Sequence, residues 1–227
     1  MASLGAAPRM SQFGKTYFTN RKYFMKEEQV KQHVFKVIDW ASDVSGIDLS
    51  DGKGRLALDV GCASGLTSKA LTKLGYRTCG IDVSSWAVRQ ARKTNAGDFL
   101  TCDVQAALPF REGSFSLVAC FDVLEHLPHP ERALRNMIKL CNGTLLCTTP
   151  NKLMEKPVRA LTRDLDETHI SVKSPGEWRN VVNSNLSYSL FKLESFFDIT
   201  AQLTDRFMFR SIRLPKVGLT IRMVIRK

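Results

Sequence analysis

The chain has 227 residues, of which 44% are hydrophobic and 24% are charged. This balance excludes a disordered or fibrous chain, and the length suits one α/β domain with small appendages better than two independent cores. The 33 Lys and Arg exceed the 22 Asp and Glu by a net charge of +11, which favours a polyanionic partner such as RNA, with a basic but inert surface as the alternative.

Targeting and redox features indicate an intracellular protein. No apolar run approaches the length of about 20 residues that spans a bilayer, and residues 1–10 lack the apolar segment of a secretory signal. We therefore expect a cytoplasmic protein without a transmembrane segment. The six cysteines include no CxxC pair, so we interpret them as reduced small hydrophobic residues rather than as a disulfide framework or a zinc cluster.

The N-terminal residues 1–25 are polar and irregular, with cations set among aromatic side chains. We expect an arm that packs on the domain or closes over a bound ligand as a lid. Residues 26–227 are predicted to form a single domain, which begins with an amphipathic helix. The apolar face of this helix carries Val30, Val34, Val37, Ile38, Ala41 and Val44.

From Arg55 onwards, short apolar runs alternate with helical segments, which predicts βα units and a parallel sheet. The runs are 55–60, 78–82, 98–102, 116–121 and 143–148, and the helices between them fall near 65–74, 84–94 and 131–140. The irregular segment 150–175 has the length of an active-site loop. A helix near 175–183 and strands near 197–203 and 219–225 should complete the domain.

Three acidic side chains follow successive predicted strands. Asp59 opens the turn Asp-Val-Gly-Cys-Ala-Ser-Gly between the first strand and a helix, where glycines let a ligand approach the backbone closely. Asp82 ends the second strand, about 20 residues further on, where a carboxylate accepts hydrogen bonds from ribose hydroxyls. Asp103 follows the third strand. Because the carboxyl ends of parallel strands meet at one crevice, we expect one nucleotide-like ligand there, with helix caps or surface acids as the alternative.

Four segments together resemble the class I S-adenosylmethionine-dependent methyltransferases, in particular their ubiquinone-synthesis-like small-molecule branch. They are LALDVGCASG, GIDVS, DVQAALPFREGSFSLVACFDVLEHLPHPERAL and GTLLCTTPN. The resemblance implies a Rossmann-like α/β sheet that is mostly parallel, with one antiparallel C-terminal strand and helices on both faces. A dinucleotide-dependent reductase is the rival interpretation of the turn, but its G-x-G-x-x-G pattern is absent.

The resemblance also implies S-adenosylmethionine as the cofactor and assigns residues to its parts. The methionine end would lie on the turn, the ribose and adenine would follow the next two strands, and an aromatic ring would sit beneath the cofactor. The residues implied for the methionine end are Asp59, Gly61, Cys62, Ala63 and Gly65. Those implied for the ribose are Asp82 and Val83, those for the adenine are Asp103 and Val104, and the aromatic ring beneath the cofactor is Phe121.

The segment Asp122-Val-Leu-Glu125-His126 places three polar side chains at i, i+3 and i+4, which share one face if a helix begins at Asp122. A histidine titrates near neutrality, so His126 suits a general base for an acceptor hydroxyl, with a structural role as the alternative. Metal-dependent methyltransferases carry a similar acidic-x-x-Glu-His stretch with glutamate first. This likeness implies a divalent metal on Asp122, Glu125, His126 and His169, the last within a Thr-His-Ile segment that resembles one in the family.

Three functions follow from these observations. The leading hypothesis is methyl transfer to a small-molecule or glycan/lipid-precursor acceptor, preferably at oxygen, with His126 or His169 assisting proton loss. The second is an RNA 2′-O-methyltransferase, motivated by the net charge, the metal-type residues and a basic C-terminal stretch between 206 and 227. The third is a non-catalytic methyltransferase-like binding protein, against which the complete set of cofactor residues argues. The sequence does not indicate the acceptor or the oligomeric state.

Overall fold

The computed structural model describes residues 13–20, 27–94, 97–155, 157, 167–203, 206–215 and 217–227, and only the backbone at 20, 200–203 and 206–208. The helices are α1 (Lys15–Asn20), α2 (Glu27–Ser45), α3 (Leu66–Lys73), α4 (Ser85–Thr94), α5 (Pro130–Leu140) and α6 (Pro175–Asn185). The strands are β1 (Leu56–Val60), β2 (Arg77–Asp82), β3 (Asp98–Thr101), β4 (Phe115–Phe121), β5 (Cys141–Pro150), β6 (Leu190–Leu203), β7 (Arg206–Arg213) and β8 (Thr220–Arg226).

The eight strands form one sheet in the order β3-β2-β1-β4-β5-β8-β6-β7. Strands β1 to β5 pair in parallel, which confirms the βα interpretation of the sequence. The chain runs outward from β1 to β3 and then returns to place β4 on the other side of β1. At such a reversal the strand ends open a crevice, and ligands of open α/β sheets bind there.

The predicted antiparallel C-terminal strand is β8, which inserts between β5 and β6 and pairs antiparallel with both. The sequence does not predict β7, which pairs antiparallel with β6 at the edge of the sheet. Its sequence, RFMFRSIR, is rich in arginine, and charged side chains on an edge strand oppose pairing with a further chain. A basic stretch and an edge strand can thus have the same composition, which is why the pattern alone does not separate them.

Helices cover both faces of the sheet, as predicted. Because alternate residues of a strand point to opposite faces, Leu117 and Ala119 of β4 pack in a core cluster with α2, while Val118 and Cys120 pack in a second cluster with α5 and α6. The predicted apolar face of α2 is buried at Val34, Val37, Ile38 and Ala41. These two clusters hold the strand ends in fixed positions.

Three further predictions bear on this architecture. All six cysteines are free, in agreement with the reduced state predicted for them. Among the described residues, none of the helices combines the length and the hydrophobicity that a bilayer crossing requires. Of the predicted arm at 1–25 only residues 13–20 are described, and residues 156 and 158–166 of the predicted loop at 150–175 lie outside the described residues.

Candidate active site

A cavity of about 390 Å³ lies at the carboxyl ends of β1 to β4. Val60, Asp82 and Phe121 line it from the ends of β1, β2 and β4, and Asp103 lines it from the turn after β3. This central cavity therefore occupies the crevice that the strand order creates. The predicted cofactor residues on its wall are Gly61, Cys62, Ala63, Asp82, Val83, Asp103, Val104 and Phe121.

The turn between β1 and α3 forms one wall of the central cavity and requires glycine at Gly61. This residue has a φ of +73°, and a Cβ atom there would overlap the side chain of Val123. The amide groups of Gly61 and Cys62 both donate to the carbonyl of Ile81, at 2.8 and 3.0 Å. These bonds fasten the turn to the end of β2, so both segments face the same ligand volume.

Asp82 joins two elements of the wall through its carboxylate. Its Oδ2 accepts a hydrogen bond from the Ala63 amide at 2.9 Å, and its Oδ1 accepts one from the Ser84 amide at 2.7 Å. Burial raises the pKa of the Asp82 carboxyl above its ordinary value. Each oxygen retains a further lone pair, so the side chain can accept hydrogen bonds from a ligand in the central cavity while it fixes the turn.

Asp103 and Val104 line the central cavity from the turn after β3. The carboxylate of Asp103 accepts a 2.9 Å hydrogen bond from the Gln105 amide, and Val104 is buried. The side-chain amide of Asn136 in α5 donates to the carbonyl of Val104 at 2.9 Å. The loop is thereby held against α5 with one carboxylate and one apolar side chain facing the central cavity.

Two predicted cofactor residues, Asp59 and Gly65, lie behind the wall of the central cavity rather than on it. Asp59 is 2% exposed, and its carboxylate accepts a 2.6 Å hydrogen bond from the Ser68 hydroxyl of α3. Burial raises the pKa of Asp59 to about 7. Gly65 is the N-cap of α3 with a φ of +81°. Both residues anchor α3 beneath the turn, and their direct contact with a cofactor stays a prediction.

The helix considered for Asp122 does not begin there, because the described chain forms only a three-residue 3-10 helix, Leu124–His126. Asp122 has a φ of +54°, so it does not itself adopt the right-handed helical conformation. Its carboxylate accepts a 3.0 Å hydrogen bond from the Thr148 hydroxyl at the end of β5 and lines the central cavity. The spacing of Asp122, Glu125 and His126 therefore does not produce one helical face.

Three of the four predicted metal ligands nevertheless come together. One ligand atom from each of Glu125, His126 and His169 lies within 4.8 Å of the others, and Asp122 does not belong to this group. The two imidazole rings meet edge to face at a centroid distance of 4.8 Å. One carboxylate and two imidazoles form a donor set that suits a divalent transition metal. We call these three residues the Glu-His-His cluster.

Glu125 is the most deeply buried member of the Glu-His-His cluster, at 1% exposure. Burial and, second, the charge of Asp122 raise the pKa of its carboxyl well above the ordinary value. The Thr149 hydroxyl donates to the carboxylate at 3.3 Å. The carboxyl group is thus held in place from β5, in an environment that favours its protonated form unless a cation lies beside it.

The two histidines of the cluster differ in their access to the central cavity. His126 lines it, and its Nδ1 lies 2.9 Å from the Thr168 hydroxyl and 3.2 Å from the Thr168 carbonyl. His169 stands behind His126, and its Nδ1 lies 2.6 Å from a carboxylate oxygen of Glu155. Of the two predicted catalytic histidines, His126 is the one placed to meet a ligand.

Aromatic side chains of the predicted N-terminal arm line part of the central cavity. Phe13, Tyr17 and Phe18 belong to its lining. Phe18 stacks on Trp86 of α4 with a centroid distance of 5.4 Å, and Phe13 meets the His126 ring edge to face at 5.9 Å. Residues 13–20 therefore pack on the domain and contribute to the cavity lining, and a lid role for them stays a prediction.

His33 of α2 is a cavity residue that the sequence interpretation missed. Its ring packs edge to face on Phe121 at 6.0 Å and on Phe209 of β7 at 5.7 Å, and it lines the central cavity. A signal was present in the helical spacing. His33 falls three residues after Val30 and four before Val37, so a polar residue occupies the predicted apolar face.

Comparison with known families and relatives places this site among methyl-transferring proteins. The methyltransferase domain family matches residues 30–185. The ubiquinone biosynthesis O-methyltransferase of Albidiferax ferrireducens is 34% identical over 116 residues, which cover 48% of this chain and 46% of that protein. The enzyme of the same name from Burkholderia vietnamiensis is 36% identical over 106 residues, 44% of this chain and 46% of that protein. The chain thus matches about half the length of these relatives.

Solved structures agree with the fold. A SAM dependent methyltransferase from Archaeoglobus fulgidus superimposes with a TM-score of 0.69 at 15% identity, covering 94% of this chain and all of that one. The magnesium protoporphyrin IX methyltransferase of Synechocystis PCC 6803 with bound SAH gives a TM-score of 0.62 at 19% identity, covering 96% and 98%. At these identities the likeness concerns the fold alone.

Proposed function

Since the chain belongs to the methyltransferase domain family, we propose that it transfers the methyl group of S-adenosylmethionine to an oxygen atom of a small-molecule acceptor. The observation that carries the proposal is the convergence of the Gly61 turn, Asp82 and Asp103 on one central cavity. The O-methyltransferase relatives support oxygen as the methylated atom.

The cofactor is proposed to follow the strand ends across the cavity. The Gly61 turn and the amide groups at the start of α3 would receive the methionine carboxylate. The ribose hydroxyls would donate to Asp82, whose oxygens each retain a lone pair beside the backbone bonds described above. Asp103 would accept from the adenine amino group, with Val104 and Phe121 against the apolar faces of the ligand.

We propose His126 as the general base for the acceptor hydroxyl. In this proposal the ring proton lies on Nδ1, where it can donate to the Thr168 carbonyl at 3.2 Å or to the Thr168 hydroxyl at 2.9 Å. Nε2 is then the basic nitrogen. The methyl sulfonium is already activated, so the protein has chiefly to hold the acceptor in line and receive one proton.

The Glu-His-His cluster supports a divalent metal as a second component of the site. Glu125, His126 and His169 would hold it, and a bound metal would lower the pKa of an acceptor hydroxyl. Asp122 is left out of the proposed ligand set, because its carboxylate accepts from Thr148 and lies apart from the group. His126 would in that case be a metal ligand rather than the base, so metal removal distinguishes the two roles.

The contacts of individual arginines support an RNA acceptor less than the net charge of the chain does. Arg222 is 1% exposed and its guanidinium donates to Asp198 at 2.7 Å, while Arg213 forms a 2.7 Å ion pair with Glu194. Two arginines of the basic C-terminal stretch are therefore neutralised within the chain. We favour a small acceptor over RNA, and the non-catalytic alternative becomes an outcome of the experiment.

The test combines cofactor binding with transfer of a labelled methyl group. Calorimetry measures the affinity for S-adenosylmethionine, and cofactor with a tritiated methyl group is then offered with hydroxyl-bearing small molecules and, separately, with RNA. We expect the protein to bind the cofactor and to form a labelled methyl ether. If His126 is the base, this product should still form after a chelator is added. Absence of binding at millimolar cofactor would contradict the proposal. Binding without any methyl transfer would favour the non-catalytic alternative. Transfer of the labelled methyl group to RNA would show that the acceptor is RNA and not a small molecule.

A further inference from the structure

His33 combines a place in the lining of the central cavity with a buried ring nitrogen. Among the described residues, no hydrogen-bond partner lies within reach of its Nε2 atom, which is buried. The same side chain belongs to the cavity lining. A buried polar atom without a partner is destabilising, and most such atoms in folded proteins are satisfied. A bound ligand that reaches Nε2 would remove this deficit.

The strands that His33 contacts place it on the side of the cavity proposed for the acceptor. The residues proposed for the cofactor follow β1, β2 and β3. The rings that frame His33 belong to Phe121 at the end of β4 and Phe209 of β7, and β7 forms the opposite edge of the sheet from β3. His33 therefore faces the part of the cavity beyond Phe121, away from the ribose and adenine positions.

The surroundings of His33 favour an uncharged imidazole. Asp122, Asp198 and Arg222 act on it electrostatically, the two carboxylates favouring its charged form and the guanidinium opposing it. Burial outweighs these effects and lowers the pKa of His33 below its ordinary value. A neutral imidazole nitrogen donates or accepts one hydrogen bond according to its tautomer, and the flanking rings offer only apolar surface.

We propose that His33 is a specificity-determining residue that hydrogen-bonds the acceptor through Nε2, and that the acceptor carries this polar group, a hydroxyl or carbonyl, on an apolar ring. A hydroxyl both donates and accepts, so it satisfies either tautomer of His33. The ring of the acceptor would lie between Phe121 and the aromatic side chains of α1. This inference rests on the proposed function, because it assigns the acceptor end of the same cavity.

Three variants separate recognition from folding. His33→Phe keeps an aromatic ring but removes the polar atom, and His33→Gln keeps a polar group. His129→Phe is the matched control, because His129 is exposed and lies outside the cavity lining. We expect His33→Phe to retain the wild-type affinity for S-adenosylmethionine and to unfold at the same temperature or higher, since it replaces an unsatisfied polar atom by an apolar one. A purely structural imidazole would give a lower unfolding temperature.

Phenol serves as the probe, with toluene as the ring without a hydroxyl. The chain contains four histidines, so the imidazole signals in long-range ¹H–¹⁵N spectra of histidine-labelled protein can be assigned with the variants. The protein is loaded with S-adenosylhomocysteine to prevent turnover and titrated with each probe. We expect phenol to move the Nε2 signal of His33 more than toluene does, and His33→Phe to weaken phenol binding about 3- to 10-fold, the contribution of one hydrogen bond.

The outcome does not depend on turnover. Phenol binding that is unchanged in His33→Phe, or a wild-type His33 signal that phenol leaves in place, would overturn the inference. Whether labelled methyl groups reach phenols is measured separately with S-adenosylmethionine. A shifted His33 signal without methyl transfer would leave the inference standing and count against the proposed reaction, whereas transfer that is equally efficient in His33→Phe would refute the inference alone.

Discussion

The carboxylate of Asp82 allows a quantitative test of the cofactor placement. In Asp82→Ala two proposed hydrogen bonds to the ribose are lost. A hydrogen bond to a charged group contributes about 1.5–3 kcal/mol, so their loss amounts to at least about 3 kcal/mol. Since about 1.4 kcal/mol corresponds to a tenfold change in Kd, the affinity for S-adenosylmethionine should fall about 100-fold or more.

The same substitution also perturbs the folded protein, because Asp82 accepts from the Ala63 and Ser84 amides. Each buried donor left without an acceptor costs about 1–3 kcal/mol. Removal of a carboxylate whose pKa burial raises offsets part of this loss. We expect a net destabilisation of about 2 kcal/mol, which lowers Tm by about 4–8 °C in a chain of this size.

The assay measures Kd by calorimetry well below the Tm of each variant, and Tm by thermal unfolding with and without cofactor. Asp48→Ala is the matched control, because Asp48 also accepts from an amide two residues on, that of Ser50 at 2.8 Å, but in an exposed loop outside the cavity lining. It should leave Kd unchanged. Wild-type affinity in a folded Asp82→Ala protein would refute the ribose placement, and an equal loss in Asp48→Ala would show that the effect is not local.

Four further substitutions test the wall and the Glu-His-His cluster. Because burial raises the pKa of Asp59 from 3.8 to about 7, the folded state holds a proton that the unfolded state releases between these values. Stability should therefore fall by up to about 4 kcal/mol as the pH rises through this window, and denaturant unfolding of Asp59→Asn should show a flatter profile. Gly61→Ala should lower stability by about 1–3 kcal/mol in thermal unfolding, since the new Cβ overlaps Val123, and Val123→Ala should restore only the part due to overlap. Glu125→Gln should change Tm little, because glutamine resembles the protonated carboxyl, but it should abolish any bound divalent metal measured by mass spectrometry. Equal metal content in the two proteins would contradict the Glu-His-His assignment.

The meeting of the proposed cofactor residues at one cavity could be predicted from sequence, because these residues follow their strands directly. Gly61, Asp82 and Asp103 lie within a few positions of strand ends, and parallel pairing alone brings those ends to one crevice. The resemblance to class I methyltransferases is confirmed by the family match over residues 30–185. The spacing did not distinguish a ligand-facing carboxylate from a buried one, as Asp59 illustrates. That distinction depends on α3, whose Ser68 captures the side chain.

The acceptor half depends on contacts between distant segments. The spacing of Asp122 and His126 predicts a helical face, but Asp122 has a positive φ and the 3-10 helix begins only at Leu124. His33 reaches the cavity because α2 packs beside β4 and β7, and β7 was hidden in a stretch whose arginines indicated only charge. The helical spacing places His33 on the inward face of α2, but it does not show which elements that face meets. The conformation of Asp122 and the contacts of His33 both require the packed structure.

This division has a consequence for acceptor choice. The family match ends at residue 185, before β6 begins, and starts after α1. Phe13 contacts His126 and Phe209 contacts His33, both on the proposed acceptor side. These two phenylalanines therefore lie outside the matched range, whereas the proposed cofactor residues lie within it. We therefore expect cofactor binding to depend on the matched domain, and the shape of the proposed acceptor site to depend on the arm and on β7. His33 lies on α2 within the matched range, but its ring packs on Phe209 outside that range. We therefore propose His33 as the position at which acceptor preference can be tested without disturbing the cofactor.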